Sequence, residues 1–350
     1  MKRIMLVLLV LALLVPCAAF AETAEEEVVF TCGDYKYVLR EDGSAEVTRY
    51  TGSGGDIVIP NDLDGHPIMA MQGNVFSAYS YEAYTVSVRQ DHPYLATING
   101  VLFGKTDGKL ICCPYALELT EYSIPQGIEQ IGDYAFSNCS GLTAVTISDS
   151  VTCIGTAAFC DCTGLTSVSI PDSVTCIGTG AFLGCTGLTS IAIPDSVTSV
   201  GMHAFYSCTG LTSITISDSL AGIEDGVFTG CTGLTSVTIP GSVTSIGDFA
   251  FSSCTGLTSV TISGGVAGIG NYAFSDCTGL ASVTIPGSVT SIGDFAFYGC
   301  TGLTSVAIPD SVTNISSDAF YRCPNLILSV PSGSYAETYC RRNGLSYTTH

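Results

Sequence analysis

The sequence predicts a β-rich repeat solenoid, and three features of it carry that prediction. The first is a fixed period of 23 residues. Cys139, Cys162, Cys185, Cys208, Cys231, Cys254, Cys277 and Cys300 open successive copies of one motif, and Cys323 opens a last copy that breaks off. The second is that apolar residues keep the same places in every copy; from Cys231 they are Leu234, Val237, Ile239, Val243, Ile246, Ala250 and Phe251. The third is size. A copy this short has too little apolar surface to fold alone, so only stacking on its neighbours completes a core and a backbone ladder.

Within a copy, Val237 and Ile239 alternate with Ser236 and Thr238, the period of a half-buried strand made of β-favouring residues. Pro240 cannot donate to a ladder and so closes the strand. Gly241-Ser242, or Asp172-Ser173 in another copy, supplies turn chemistry. Val243 and Ile246 point inward again, Gly247 permits a second bend, and Asp248 to Phe251 is long enough for one helical turn. Stacked at about 4.8 Å, these strands form one parallel sheet along about a dozen coils.

These residues resemble the leucine-rich repeats of the BspA-like bacterial surface proteins. There a Leu-x-x-Val-x-Ile-Pro strand is followed by Val-x-x-Ile-Gly, then Ala-Phe, then Asn or Cys. The resemblance implies a leucine-rich-repeat right-handed coil with its parallel sheet on the concave face, short helical turns and a C-terminal cap. It also implies an exported protein, secreted or cell-surface associated, of a kind that includes adhesins for host matrix proteins, host receptors or other bacteria.

Taken in order, residues 1–21 read as a secretory signal: Lys2 and Arg3, an apolar run from Ile4 to Val15, and the cleavage site Ala19-Phe20-Ala21. Twelve apolar residues are too few for a spanning helix, and no later segment qualifies. Residues 22–27 form an acidic spacer. Residues 28–55 read as an N-terminal cap hairpin turning at Glu41-Asp42-Gly43-Ser44, and residues 56–115 as degenerate repeats with a second hairpin at Asp107-Gly108. Regular repeats fill 116–322, with the pair from Cys208 repeated almost verbatim from Cys254. Residues 323–350 read as a C-terminal cap: Ser334 and Glu337 make a capping box, Arg341 and Arg342 suit a helix C-terminus, and Gly344 a C′ position.

Composition removes several function classes. The formal charge is −20, and no Lys or Arg occurs between Leu110 and Tyr321, so nucleic acid is not expected as a partner. Of the histidines, His66 and His92 precede prolines, His203 occupies a variable repeat position and His350 is terminal; none lies in a zinc-protease motif. The run Asn99 to Thr106 imitates a phosphate loop, yet it lacks the first glycine and precedes no helix. No catalytic residue, metal site or cofactor is expected, and the protein reads as a non-enzyme. The in-register cysteines share one inward position and read as a ladder of free thiols. Cys153 and Cys176 face each other on adjacent coils, with their redox state left open.

Two surface arrays are candidates for binding. One is the outward strand face: Ser167, Ser190, Ser213, Thr215, Ser236, Thr238, Ser259, Thr261, Ser282 and Thr284. The other is an aromatic edge, Phe249, Tyr272 and Phe295, just before the Ala-Phe pair. The resulting expectation is an adhesin-like or host-interaction protein that binds macromolecules: host or bacterial surface proteins, matrix proteins or glycans. The competing reading is a structural or spacer module of the cell envelope without a specific ligand.

Overall fold

The computed structural model describes residues 28–76, 84–114 and 117–350; the expected secretory signal and acidic spacer lie outside them. Each regular coil has three faces. In the coil from Cys231, the first is the strand Ser236–Ile239, which pairs in parallel with Ser259–Ile262, Ser236 opposite Ser259 and Ile239 opposite Ile262. The same 23-residue register runs on through Ser282–Thr284, Ser305–Ala307, Ile327–Val330 and Tyr347–Thr349. The second face is a narrower parallel ladder, Ser245–Ile246 beside Gly268–Ile269 and Ser291–Ile292. The sequence reading named one sheet; the structure has two, because Ile246 and its equivalents are held in extended backbone long enough to pair.

The third face is not the expected helical turn. Amides there alternate between two destinations. Ala250, Ser252 and Cys254 donate three residues back, to Gly247, Phe249 and Phe251. Phe249, Phe251 and Ser253 donate to Asn271, Ala273 and Ser275 of the next coil, at 2.9, 2.7 and 2.7 Å. Phe249 and Ser253 have φ of 58° and 59°, and these left-handed residues turn alternate amides outward along the axis. A helical turn would have spent all of them inside one coil.

The core runs the length of the stack. Val237, Ile239, Val243, Ile246, Ala250, Phe251, Cys254 and Leu257 are all buried. Nine phenylalanines, from Phe136 to Phe320, stack ring on ring at 5.1–5.6 Å between centroids. Tyr122 covers one end of this spine at 5.6 Å and Tyr339 the other at 6.4 Å. Tyr339 belongs to the helix Tyr335–Asn343. Ser334 accepts the Glu337 amide (3.1 Å), Glu337 accepts the Gly333 amide (2.7 Å), and Gly344 closes the helix at φ 65°.

Both ladders stop at one coil. Among the described residues, Ser199–Val200 does not pair with Gly222–Ile223, nor Ser213–Thr215 with Ser236–Ile239. The coil between carries three enlarged side chains: Leu220 where other coils have Val, Glu224 where they have Gly, and Val227 where they have Ala. At Gly178, Gly201, Gly270 and Gly293 an added β-carbon would sit 2.5–2.8 Å from the preceding coil's backbone, closer than atoms can approach. Ser316 also replaces that glycine, yet its amide still reaches Ile292 at 3.0 Å. A β-carbon alone is therefore tolerated, and we attribute the seam to the three enlargements together. The turn face holds across it, with Phe205 donating to Val227 at 2.9 Å and Ser207 to Thr229 at 2.7 Å.

The N-terminal portion has its own core, around Tyr37, Tyr50, Phe76 and Tyr84. The antiparallel strands Tyr35–Leu39 and Ala45–Tyr50 join through the Glu41–Ser44 turn, and Ala45–Tyr50 pairs in parallel with His66–Met71. His92 is fully buried, bonding the Pro60 carbonyl through Nε2 (3.2 Å) and accepting the Leu95 amide at Nδ1 (3.0 Å). Burial pushes its pKa down, so it serves as a structural, neutral imidazole. The phosphate-loop imitation falls on two hairpins, with Asn99 and Gly100 both at positive φ.

Candidate interaction surface

The thiols explain how each coil grips the last. Cys162, Cys185, Cys208, Cys231, Cys254, Cys277, Cys300 and Cys323 each donate Sγ–H to the carbonyl of the spine phenylalanine one coil back, at 3.0–3.2 Å. The in-register cysteines are free, and burial pushes the Cys208 thiol up to about 12. The buried members, Cys162 to Cys300, are structural donors rather than reactive thiolates, whereas the half-buried Cys323 thiol is pushed down by its contact with Cys300. Cys153 and Cys176, opposite each other on the second ladder, form a disulfide. Among the described residues, no group of His, Cys, Asp or Glu could hold a metal ion.

The hydroxyl rows divide into used and unused. Thr166, Thr189, Thr212, Thr235 and Thr258 each donate to the carbonyl of the matching residue one coil back. The strand residues Ser167, Ser190, Ser213, Thr215, Ser236, Thr238, Ser259, Thr261, Ser282 and Thr284 are all exposed. Wherever ladders run, they lie opposite their equivalents, Ser259 facing Ser282 and Thr261 facing Thr284.

Phe249, Tyr272 and Phe295 stand in a single file on the turn face, with rings 4.8 and 4.9 Å apart and planes 5° and 18° from parallel. Phe249 is 44% exposed. All three have φ of 54–58°. That conformation costs a non-glycine residue on the order of 1–2 kcal/mol; the same position is Gly180 and Gly226 in two coils, and Tyr134, Ala157, His203 and Asp318 in others, with Tyr134, Ala157 and His203 also left-handed. The file continues. Phe295 meets Tyr298 edge-on at 5.7 Å, and Tyr298 lies 5.9 Å from Tyr321. The Arg322 guanidinium lies over both tyrosines, 5.5 and 5.9 Å from their centroids.

The strand face and the aromatic file occupy different faces of the coil, so the structure does not bring the two arrays into one site. Arg322 was not among the residues singled out from sequence. Its signal was available: it is the first basic residue after Lys109, next to Tyr321.

A stacked β-solenoid with solvent-facing arrays repeated coil by coil is a repeat scaffold of the leucine-rich type. The chain belongs to the family described as the BspA type leucine rich repeat region, which matches residues 112–234 and 198–327 in six copies. It is similar to a leucine rich cell surface protein of Faecalibacterium prausnitzii, at 27% identity over 95% of this chain and 100% of that one, with a TM-score of 0.41. It is also similar to a leucine-rich repeat protein of Eubacterium ventriosum, at 25% identity over 78% of this chain and 60% of that one, with a TM-score of 0.45. The pneumococcal vaccine antigen PcpA aligns at 15% identity over 93% of this chain and 99% of that one, with a TM-score of 0.41. No curated protein matches the chain. No helix among the described residues is long and apolar enough to cross a membrane.

Proposed function

We propose that this protein is an exported, cell-surface-associated scaffold that binds surface macromolecules of a host or of other bacteria, without catalysis, through its aromatic edge. The observation that carries the reading is the placement of Phe249, Tyr272 and Phe295. Each occupies a left-handed position that glycine would fill without strain, and the file they form lies at the surface, with Phe249 exposed and Tyr272 and Phe295 half-buried. Bulky rings kept where the backbone disfavours them serve something other than the fold. Exposed aromatics are also the side chains that dominate macromolecular contacts. Family membership supports a surface interaction role. The strand face is the second candidate, because its hydroxyls bond to no other described group while the neighbouring threonines spend theirs.

The deciding experiment measures adhesion of protein-coated beads to epithelial matrix and to bacterial cells. The aromatic edge is removed by Phe249→Gly, Tyr272→Gly and Phe295→Gly together, which suits the backbone at all three sites. The strand face is disrupted separately by Ser213→Lys, Ser236→Lys and Ser259→Lys. Loss with the first set alone supports the aromatic edge, and loss with the second set alone transfers the role to the strand face. Wild-type behaviour lacking any saturable adhesion would leave the spacer reading.

A further inference from the structure

We infer that the C-terminal end of the aromatic edge, formed by Tyr298, Tyr321 and Arg322, is a subsite for an acidic sugar: a pyranose carrying one carboxylate, at the terminus of a glycan. The inference rests on the aromatic edge being the binding face, and it names the chemistry recognised there.

Three independent features of Arg322 point to a ligand. The first is backbone. Arg322 has φ 63°, and its equivalents in preceding coils are Asn138, Asp161, Gly184, Ser207, Gly230, Ser253, Asp276 and Gly299, all small or suited to that conformation. A long cationic side chain is the exception, at a position where the fold needs none. The second is its seat. The guanidinium lies over two tyrosine rings, 5.5 and 5.9 Å from their centroids, within cation–π reach of both. The third is its missing partner. Arg40, Arg89 and Arg341 each pair with a carboxylate, whereas Arg49 and Arg342, like Arg322, have no ion pair among the described residues. Arg322 has no ion pair or hydrogen bond among the described residues, although Asp318 stands four residues earlier. A planar guanidinium seated beside two tyrosines with its donors unspent can take a carboxylate through two parallel N–H···O bonds.

The surroundings narrow the class further. Tyr321 is 55% exposed, and its ring supplies a flat apolar surface beside the guanidinium on which the C–H face of a pyranose can lie. The Tyr298 and Tyr321 hydroxyls have no partner among the described residues, and each can donate to or accept from sugar hydroxyls. A polyacidic peptide would meet the formal charge of −20 and the long stretch without Lys or Arg, so many negative charges are repelled. One carboxylate on an otherwise neutral glycan gains the Arg322 contact with little of that repulsion. Charge therefore favours a singly acidic sugar over an acidic polypeptide.

Saturation-transfer NMR on the intact chain tests this, with sodium glucuronate and a glucuronate-terminated trisaccharide as probes. Glucose and glucuronamide, which lack the carboxylate, serve as controls. Both acidic probes should show transfer, the trisaccharide the stronger if the glycan is the natural source, and both controls should bind at least about tenfold more weakly. Arg322→Gly, which suits the left-handed backbone, should abolish the difference. Arg322→Lys keeps the charge without the fork and should lose about tenfold. Equal binding of glucose and glucuronate, or glucuronate binding unchanged in Arg322→Gly, overturns the inference. An acidic decapeptide that competes for the site more strongly than the trisaccharide would also overturn it, in favour of a protein ligand. If glucuronate fails while the triple glycine variant still loses adhesion, the acidic-sugar inference falls and the aromatic-edge reading stands. If the triple variant adheres normally, the reading beneath both falls.

Discussion

The Cys231 thiol donates to the Phe205 carbonyl across the coil boundary, at 3.2 Å. That carbonyl already accepts the Cys208 amide, also at 3.2 Å. The sulfur thus satisfies the second lone pair of a buried acceptor, which water cannot reach. Cys231→Ala should cost about 1 kcal/mol in a urea titration, the worth of one such bond. Cys231→Ser keeps a donor and should cost less. Equal losses for the two would show that the cavity, not the bond, matters.

The same thiols make stability depend on pH at the alkaline end. Burial raises the Cys208 thiol from 9.0 to about 12, so the folded chain holds that proton more tightly than the unfolded one. Its contribution is complete below about pH 9, the unfolded value, and shrinks as pH rises towards 12. Urea midpoints should fall progressively above pH 9. Alkylation of the non-reduced protein at pH 8 should leave Cys185, Cys208, Cys231, Cys254, Cys277 and Cys300 unlabelled until denaturant is added. A flat alkaline profile together with rapid native labelling would contradict the buried ladder.

Two phenylalanines two residues apart should respond in opposite ways. Phe251 is fully buried in the spine, and Phe251→Ala should destabilise by about 3–5 kcal/mol. Phe249→Gly gives up half-exposed stacking but relieves a left-handed backbone, and should shift stability by less than about 1 kcal/mol. Chemical denaturation of the two variants side by side checks the contrast.

The seam should be repairable. Leu220→Val, Glu224→Gly and Val227→Ala together restore the side chains found in the other coils. The triple variant should gain about 1–3 kcal/mol, and hydrogen exchange at the amides of residues 222–224 should slow. No change in exchange there would mean that those side chains do not cause the break.

Asp149, Asp172, Asp195 and Asp218 occupy one exposed turn position in successive coils, and the Asp218 amide donates to the Asp195 carboxylate at 3.2 Å. Neighbouring carboxylates about 5 Å apart repel by about 0.8 kcal/mol in water-like dielectric. Added NaCl screens this and should raise the melting temperature. The rise should be smaller in Asp195→Asn, read by circular dichroism.

Much of the architecture was legible because identical residues recur at identical offsets. Val237 and Ile239 could only face inward, and Ser334 with Glu337 could only begin a helix. The second ladder was harder to read: Cys153-Ile154 and its equivalents are two residues long, too short to show alternation. The turn face was misjudged for a different reason. Local propensity gives Phe249 and Tyr272 no reason to be left-handed; the neighbouring coils that accept their amides impose it. The site was less legible than the fold, since repetition points to positions that stay constant, whereas Arg322 matters because it departs from the pattern.

The ladder bonds between coils run along the solenoid axis, so tension applied along the molecule falls on them directly. Pulling on its two ends stretches these bonds lengthwise, so coils peel away one at a time. Each released coil of 23 residues lengthens the chain by roughly 75–80 Å. The first to yield is the coil around Glu224, which lacks second-ladder pairing to the coil before it and first-ladder pairing to the coil after it. The Cys153–Cys176 disulfide closes one full coil covalently, and that stretch cannot lengthen at all. Under shear the protein behaves as a tether with a soft middle and a locked segment on its N-terminal side. The aromatic edge, from Phe249 to Arg322, lies wholly on the C-terminal side of the soft point, so its rings stay in file while the middle extends.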